Sequence, residues 1–314
     1  MLGRLKNNNR KWLDNLNFEV GFLSLANLGT KASDPTEELS EYEDLINDIV
    51  KTVKEELALV TRGLILYGSY GKIRRTPSYA KYFLPGESDL DLVLVIDTER
   101  SNEAEPFRSF QKVVEALNMI LFEPIYASIL DLEIVEAQVD MPPPLGASFG
   151  LIQMKAAKES GEFLIGKPTI FQSIDFSPPR IFNACRNQAH RTFSDLKNAF
   201  LHHDMYRTTE LFWLGVDSVL DAAHTLSTFL MTKNPELTQG MTLQDRSLCK
   251  MEVALFLQKT DLPKEMKETV LFANSYRLQG GPSSGYLEFF TRSLRFCRRT
   301  NEVIKAECEC DDFS

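Results

Sequence analysis

Long apolar runs and paired cysteines are both missing from this sequence. No stretch reaches the roughly 18 consecutive apolar residues that a membrane-spanning helix needs. The opening MLGRLKNNNRKWLDNLNFEVGF carries positive charge without a continuous apolar core, so neither a membrane span nor a secretory leader is expected. The cysteines are five (Cys185, Cys249, Cys297, Cys308 and Cys310), and none forms the CxxC pairs of a zinc site. That usage predicts a reducing, cytoplasmic setting. Positive charge is in deficit too: a net charge of −9 argues against a protein whose whole surface grips nucleic acid, because phosphate neutralisation needs clustered Lys and Arg. Repeats and long low-complexity tracts are also absent, which excludes solenoids and propellers.

What remains is a chain of 314 residues, 43% hydrophobic, long enough to bury a sizeable core and to divide into two domains. Two local basic clusters stand against the acidic balance. Arg292, Arg295, Arg298 and Arg299 have helical spacing and read as a solvated face. Lys72, Arg74, Arg75 and Lys81 lie beside a candidate phosphate site and carry more interest.

Residues 36–60 place Leu39, Tyr42, Leu45, Ile46, Ile49, Val50 and Val53 at a helical period, after a Ser-Asp-Pro-Thr start signal. Gly63 to Tyr67 is a short apolar strand stopped by Gly68, and Leu90 to Ile96 is a near-continuous apolar run of the kind buried on both faces. A second helical period covers 104–121, a third strand is expected over 127–139, and a helix over 148–160 precedes Gly161-Glu162-Phe163-Leu164-Ile165-Gly166. A boundary is expected near Lys167-Pro168. Beyond Pro179 the strand signals fade, and helices over 180–202, 205–232, 243–259, 264–274 and 285–306 predict a bundle, with Phe212, Trp213 and Phe229 in its core. The final ECECDDFS reads as a frayed acidic tail.

The chemistry concentrates at two points. Along a strand, side chains alternate faces, so Asp89 and Asp91 in Ser88-Asp89-Leu90-Asp91 point the same way with Cα atoms about 6.6 Å apart. Two carboxylates so placed repel unless cations offset them, and they are hard-oxygen ligands for Mg²⁺ in a two-ion clamp. A solvated turn is the bland alternative, but the apolar run Leu92 to Ile96 behind the pair anchors it at the end of a central strand. Gly68-Ser69 ends the preceding strand, where a small residue and the exposed N–H groups of a following helix favour a phosphate.

An apolar strand with Gly-Ser, then a spacer, then Asp-x-Asp inside a second apolar strand resembles the DNA polymerase β-like nucleotidyltransferase superfamily; here the segments read LILYGSYG and SDLDLVLVI. The resemblance covers roughly residues 36–167, and it implies a third carboxylate on a later strand. Asp131 is preferred there, with Glu133 as the alternative. It also implies an α+β fold, in which a nucleotidyltransferase-type mixed sheet with helices is followed by an all-α helical bundle domain. Residues 1–35 stay unassigned, 36–167 form the catalytic domain, 168–306 the helical domain and 307–314 the acidic tail. The implied reaction is Mg²⁺-dependent, with Mn²⁺ able to substitute. A nucleoside monophosphate passes from an NTP, ATP first among them, to an acceptor hydroxyl of a small molecule, protein, nucleotide or RNA end, and pyrophosphate is released. Asp89, Asp91 and Asp131 would hold metal and Gly68, Ser69, Lys72 and Ser88 the nucleotide. The spacer from Ser69 to Asp89 is longer than usual, so Lys72 to Glu87 is expected to be an inserted loop. The rival expectation is a regulatory or antitoxin-like NTP-binding module with weak or no catalysis.

Other candidates are weaker. Arg186 and His190 share a helix face at a spacing shorter than the Arg/His motif of some helical ribonuclease partners, and His190 reads as structural. His202-His203-Asp204 reads as a helix end, since adjacent helical residues point apart.

Overall fold

The computed structural model describes residues 35–58, 61–75, 90–96, 130–136, 150–172, 174–239, 241, 250–279, 281–282 and 284–311. The expected helix over 104–121, the N-terminal segment to residue 34, and Ser88, Asp89 and Lys81 lie outside the described residues.

Helix α1 (Pro35–Glu56) opens with proline at a position where its missing N–H is no loss. Tyr42, Leu45, Ile46, Ile49 and Val53 form its buried stripe. Strand β1 (Thr61–Leu66) leads through Tyr67 into α2 (Gly68–Arg75), and β2 (Leu90–Ile96) and β3 (Leu130–Glu136) follow. Helix α3 (Leu151–Ser160) then turns directly into β4 (Glu162–Ile165). The four strands form one mixed sheet in the order β3-β2-β1-β4. β1 is antiparallel to both neighbours, whereas β2 and β3 run parallel.

Alternation along the strands explains why the β2 sequence is apolar at nearly every position. Leu64, Leu66, Leu92 and Leu94 pack with the α1 stripe on one face. Ile65, Tyr67, Val93 and Val95 pack with Met154, Ala157 and Phe171 on the other. Each such side chain fully removed from water contributes about 1.5–3 kcal/mol. The GEFLIG segment is therefore a strand, pairing Leu64 with Ile165 and Leu66 with Glu162. Gly166 leaves that strand at φ 86°, where a Cβ would stand 2.3 Å from the Arg62 carbonyl oxygen, so the turn requires glycine.

The second half is all helix in its described residues: α4 (Pro178–Leu201), α5 (Thr208–Lys233), α6 (Lys250–Gln258), α7 (Lys264–Gln279) and α8 (Tyr286–Asp311), with short 3-10 turns. Helix α5 is its axis, buried from Leu211 to Leu230 on most faces. Buried hydroxyls on it are satisfied locally, Thr225 and Ser227 donating to the carbonyls of Asp221 and Ala223. Phe212 is the hub, its ring 5.1–5.5 Å from those of Trp213, Tyr276, Tyr286 and Phe289. Trp213 corrects its expected place in the core: it is 39% exposed and presents its edge to Phe212, because the helix turn that buries Phe212 carries its neighbour outward.

The two halves share α3. Met154 and Ala157 face the sheet, while Ile152 joins the helical core. At the far end, α8 continues through Asp311, with Glu307 ion-paired to Lys233, so residues 307–311 of the expected tail are helical.

Candidate functional site

Where β1 ends, Tyr67 donates its backbone N–H to the Asp91 carbonyl at 2.9 Å, locking the start of α2 to the start of β2. The next residue, Gly68, has φ 66°, which L side chains rarely adopt. The space that a side chain would fill there holds the Asp91 carboxylate, with Oδ2 1.8 Å from where a Cβ would stand. Glycine is thus required twice, for its backbone and for its missing side chain. Asp91 is half-buried. Alternation puts it on the same face as Val93 and Val95.

In the parallel β2–β3 ladder, Asp91 is paired with Asp131 and Val93 with Glu133. Neighbouring strands lie about 4.8 Å apart, so Asp131 stands beside Asp91 while Glu133 stands two residues further into the sheet. The backbone positions of Gly68, Ser69, Asp91 and Asp131 therefore lie at one end of β1, β2 and β3. Among the described residues no set of three or more His, Cys, Asp or Glu side chains is gathered as metal ligands. A hard cation nonetheless suits the donor present, a carboxylate held against a helix start that has no side chain in the way.

Helix α2 runs through Lys72, Ile73, Arg74 and Arg75, which corrects the expectation that an inserted loop begins at Lys72. The physical reason lies in its buried face: Tyr70 and Ile73 pack with the α1 stripe and fix the helix for two turns. Tyr70 stacks on Tyr42 at 5.3 Å and donates its hydroxyl to Glu43 Oε1 at 3.0 Å. Burial, then the bond to Glu43, pushes the phenol above its ordinary pKa.

The basic residues of α2 are engaged by the protein itself. Arg74 reaches Glu43 at 3.0 Å and Glu162 at 3.1 Å, joining α1, α2 and β4. Arg75 donates Nε–H to the Gly71 carbonyl, while one terminal nitrogen is buried without a hydrogen-bond partner; burial lowers its pKa. Lys72, the expected nucleotide contact, is 6% exposed, and its ammonium meets Glu252 of α6 at 2.5 Å. Glu252 was not foreseen from the sequence. Its signal was a single carboxylate inside the apolar run MEVALFL, where an acid is not expected without a cation to meet it.

The remaining candidates are peripheral. Arg186 and His190 are both exposed on α4, so His190 is not a core histidine. His202 ends α4 by donating its N–H to the Asn198 carbonyl, and His203 Nδ1 lies 3.1 Å from the Phe200 carbonyl oxygen, the expected helix end. Arg295, Arg298 and Arg299 are exposed, and the latter two pair with Glu302 on the same helix, as a solvated face would. Cys185 and Cys297 are buried free thiols, pushed up in pKa by that burial. No helix among the described residues is long and apolar enough to cross a membrane. Comparison of the chain with protein-family models and with curated proteins finds no match.

Proposed function

We propose that this protein is a metal-dependent nucleotidyltransferase of the DNA polymerase β-like kind, moving a nucleoside monophosphate from an NTP to an acceptor hydroxyl. The observation that carries the reading is the apposition of Gly68 and Asp91. A glycine at φ 66° opens a helix, and a carboxylate fills the place of its absent side chain. That arrangement brings an anion-favouring helix start against a metal-favouring oxygen, the two demands of a Mg²⁺-bound triphosphate. The register of Asp131 beside Asp91 supports a third carboxylate from β3.

In this reading Asp89, Asp91 and Asp131 hold Mg²⁺, or Mn²⁺ in its place. The ion would supply charge neutralisation on the triphosphate and its leaving pyrophosphate. The Gly68-Ser69 turn and Ser88, the residue before Asp89, position phosphate oxygens. Asp131 accepts the proton of the acceptor hydroxyl, Glu133 being the alternative. Asp91 is held in place by β2 and by its seat over Gly68, so rate comes from prepaid positioning instead of a protein nucleophile. ATP is the first NTP to test, and a cytoplasmic setting suits both Mg²⁺-NTP and free thiols. The acceptor is assigned to the helical half and its border, because triphosphate and metal occupy the sheet corner.

The test is a thermal-shift scan with the four NTPs, with and without Mg²⁺, followed by pyrophosphate release with small-molecule, protein and RNA acceptors. A metal-dependent shift is expected with at least one NTP; no shift with any of them overturns the reading. The rival reading, a regulatory NTP-binding module, is favoured by one observation, the commitment of Lys72 to Glu252. It expects the shift without pyrophosphate release.

A further inference from the structure

Glu252 and Lys72 are 180 positions apart, and their contact joins α2 of the sheet half to α6 of the helical half. Both are buried, at 3% and 6% exposure. An ion pair in that setting is costly to desolvate and costlier to break, since the survivor is left charged in an apolar place. Glu252 is the sole acid of α6, flanked by buried Val253, Ala254 and Leu255.

The triphosphate of the proposed reaction would be a second anion for Lys72. This lysine follows Gly68 by four residues along α2, a distance of about 6 Å along the helix axis. Side chains on a helix lean back toward its N-terminus. A lysine leaving Glu252 therefore swings toward the Gly68 and Asp91 corner, where the triphosphate is placed by the reading above, on which this inference rests.

We propose that Lys72 is a latch between the two halves: Glu252 holds it in the nucleotide-free protein, and bound triphosphate takes it, loosening α6 from the sheet half. No bond is made or broken and the ammonium keeps its charge throughout; only its partner changes. Coupling of this sort is reciprocal, so whatever weakens the pair strengthens triphosphate binding, and bound triphosphate weakens the hold on α6.

The experiment titrates the full chain with a methylene-bridged, non-hydrolysable ATP analogue and Mg²⁺ in a calorimeter, using wild type, Glu252→Gln, Lys72→Met and the double variant. Glu252→Gln, folded by circular dichroism, is expected to bind about tenfold more tightly than wild type, within the usual range of coupling between sites. Lys72→Met is expected to bind more weakly, and the double variant to match Lys72→Met, because the gain passes through the lysine. If Glu252→Gln does not fold, the wild type alone decides: hydrogen exchange over 250–258 should speed up when the analogue saturates. Binding by Glu252→Gln no tighter than wild type, a gain that survives in the double variant, or unchanged exchange over 250–258 at saturation overturns the latch while the nucleotide reading stands. Absence of analogue binding in wild type and every variant overturns both.

Discussion

Asp91 occupies the place of the side chain that Gly68 lacks: a Cβ at position 68 would lie 1.8 Å from Asp91 Oδ2 and 2.7 Å from its Cγ. The two residues are 23 positions apart in sequence, yet no side chain can be placed at position 68 without displacing the Asp91 carboxylate.

Gly68→Ala is accordingly expected to damage stability and function together. The left-handed backbone alone costs about 1–2 kcal/mol for an L side chain, and the new methyl must displace the carboxylate. Chemical denaturation should show the loss, and metal-dependent NTP binding should fall more steeply than stability. A variant with wild-type binding would mean that Asp91 takes no part in the site.

The carboxylates should separate by rank. Asp89→Ala and Asp91→Ala are each expected to abolish pyrophosphate release with the fold retained, since neither removes an apolar core side chain. Asp131→Asn should follow them, because it is Asp131 that stands beside Asp91 in the ladder. Glu133→Gln, at the position paired with Val93, should cost far less. The reverse order would transfer the role to Glu133.

Tyr70 provides a pH signature. Burial first, then the Glu43 hydrogen bond and charge, holds its pKa above the ordinary value of about 10. In the unfolded chain the phenol ionises at about pH 10, so above that pH the folded protein retains a proton that unfolding releases. The stabilisation is whole below pH 10 and drains away as pH rises toward the folded value. Wild type should exceed Tyr70→Phe by about 1 kcal/mol at neutral pH, and melting curves taken between pH 8 and 11 should show that margin narrowing above pH 10. A margin that widens there would contradict the assigned cause.

Much of the sheet half could be read locally, and the reasons differ by element. Strand β2 was legible to the residue, Leu90 to Ile96, because burial on both faces leaves an apolar run broken only by Asp91. Helix α2 was half legible. Gly68-Ser69 marked its start, but Lys72 to Arg75 read as loop, because their charges find their partners on α1, β4 and α6, none of them near in sequence. The apolar GEFLIG was noticed without its pairing to β1, since strand partnership is a property of the whole sheet. Trp213 went astray for a related reason: composition marks a large ring as core, but only helix phase decides which of two adjacent rings turns inward.

In the helical half, Phe212→Ala should be the severest single truncation. Four rings lose their common neighbour at once, and a buried Phe→Ala change costs about 3–5 kcal/mol. Denaturant unfolding should show it. A loss under 1 kcal/mol would show that the four rings close over the gap.

The pairing of Leu64 with Ile165 has a bearing on how the protein is made. About a hundred residues of chain separate β1 from β4, so at translation rates of about 5–20 residues per second, β4 leaves the ribosome some 5–20 s after β1. Throughout that interval one edge of β1 offers unpaired N–H and C=O groups directly beside the segment that carries Gly68. An open edge of this kind recruits other strands, including those of neighbouring nascent chains. Helices α4 and α5, by contrast, are neighbours in sequence and pack on each other, and near contacts form faster. The sheet half is synthesised first and completed only when β4 arrives, an interval in which a chaperone would shield that edge.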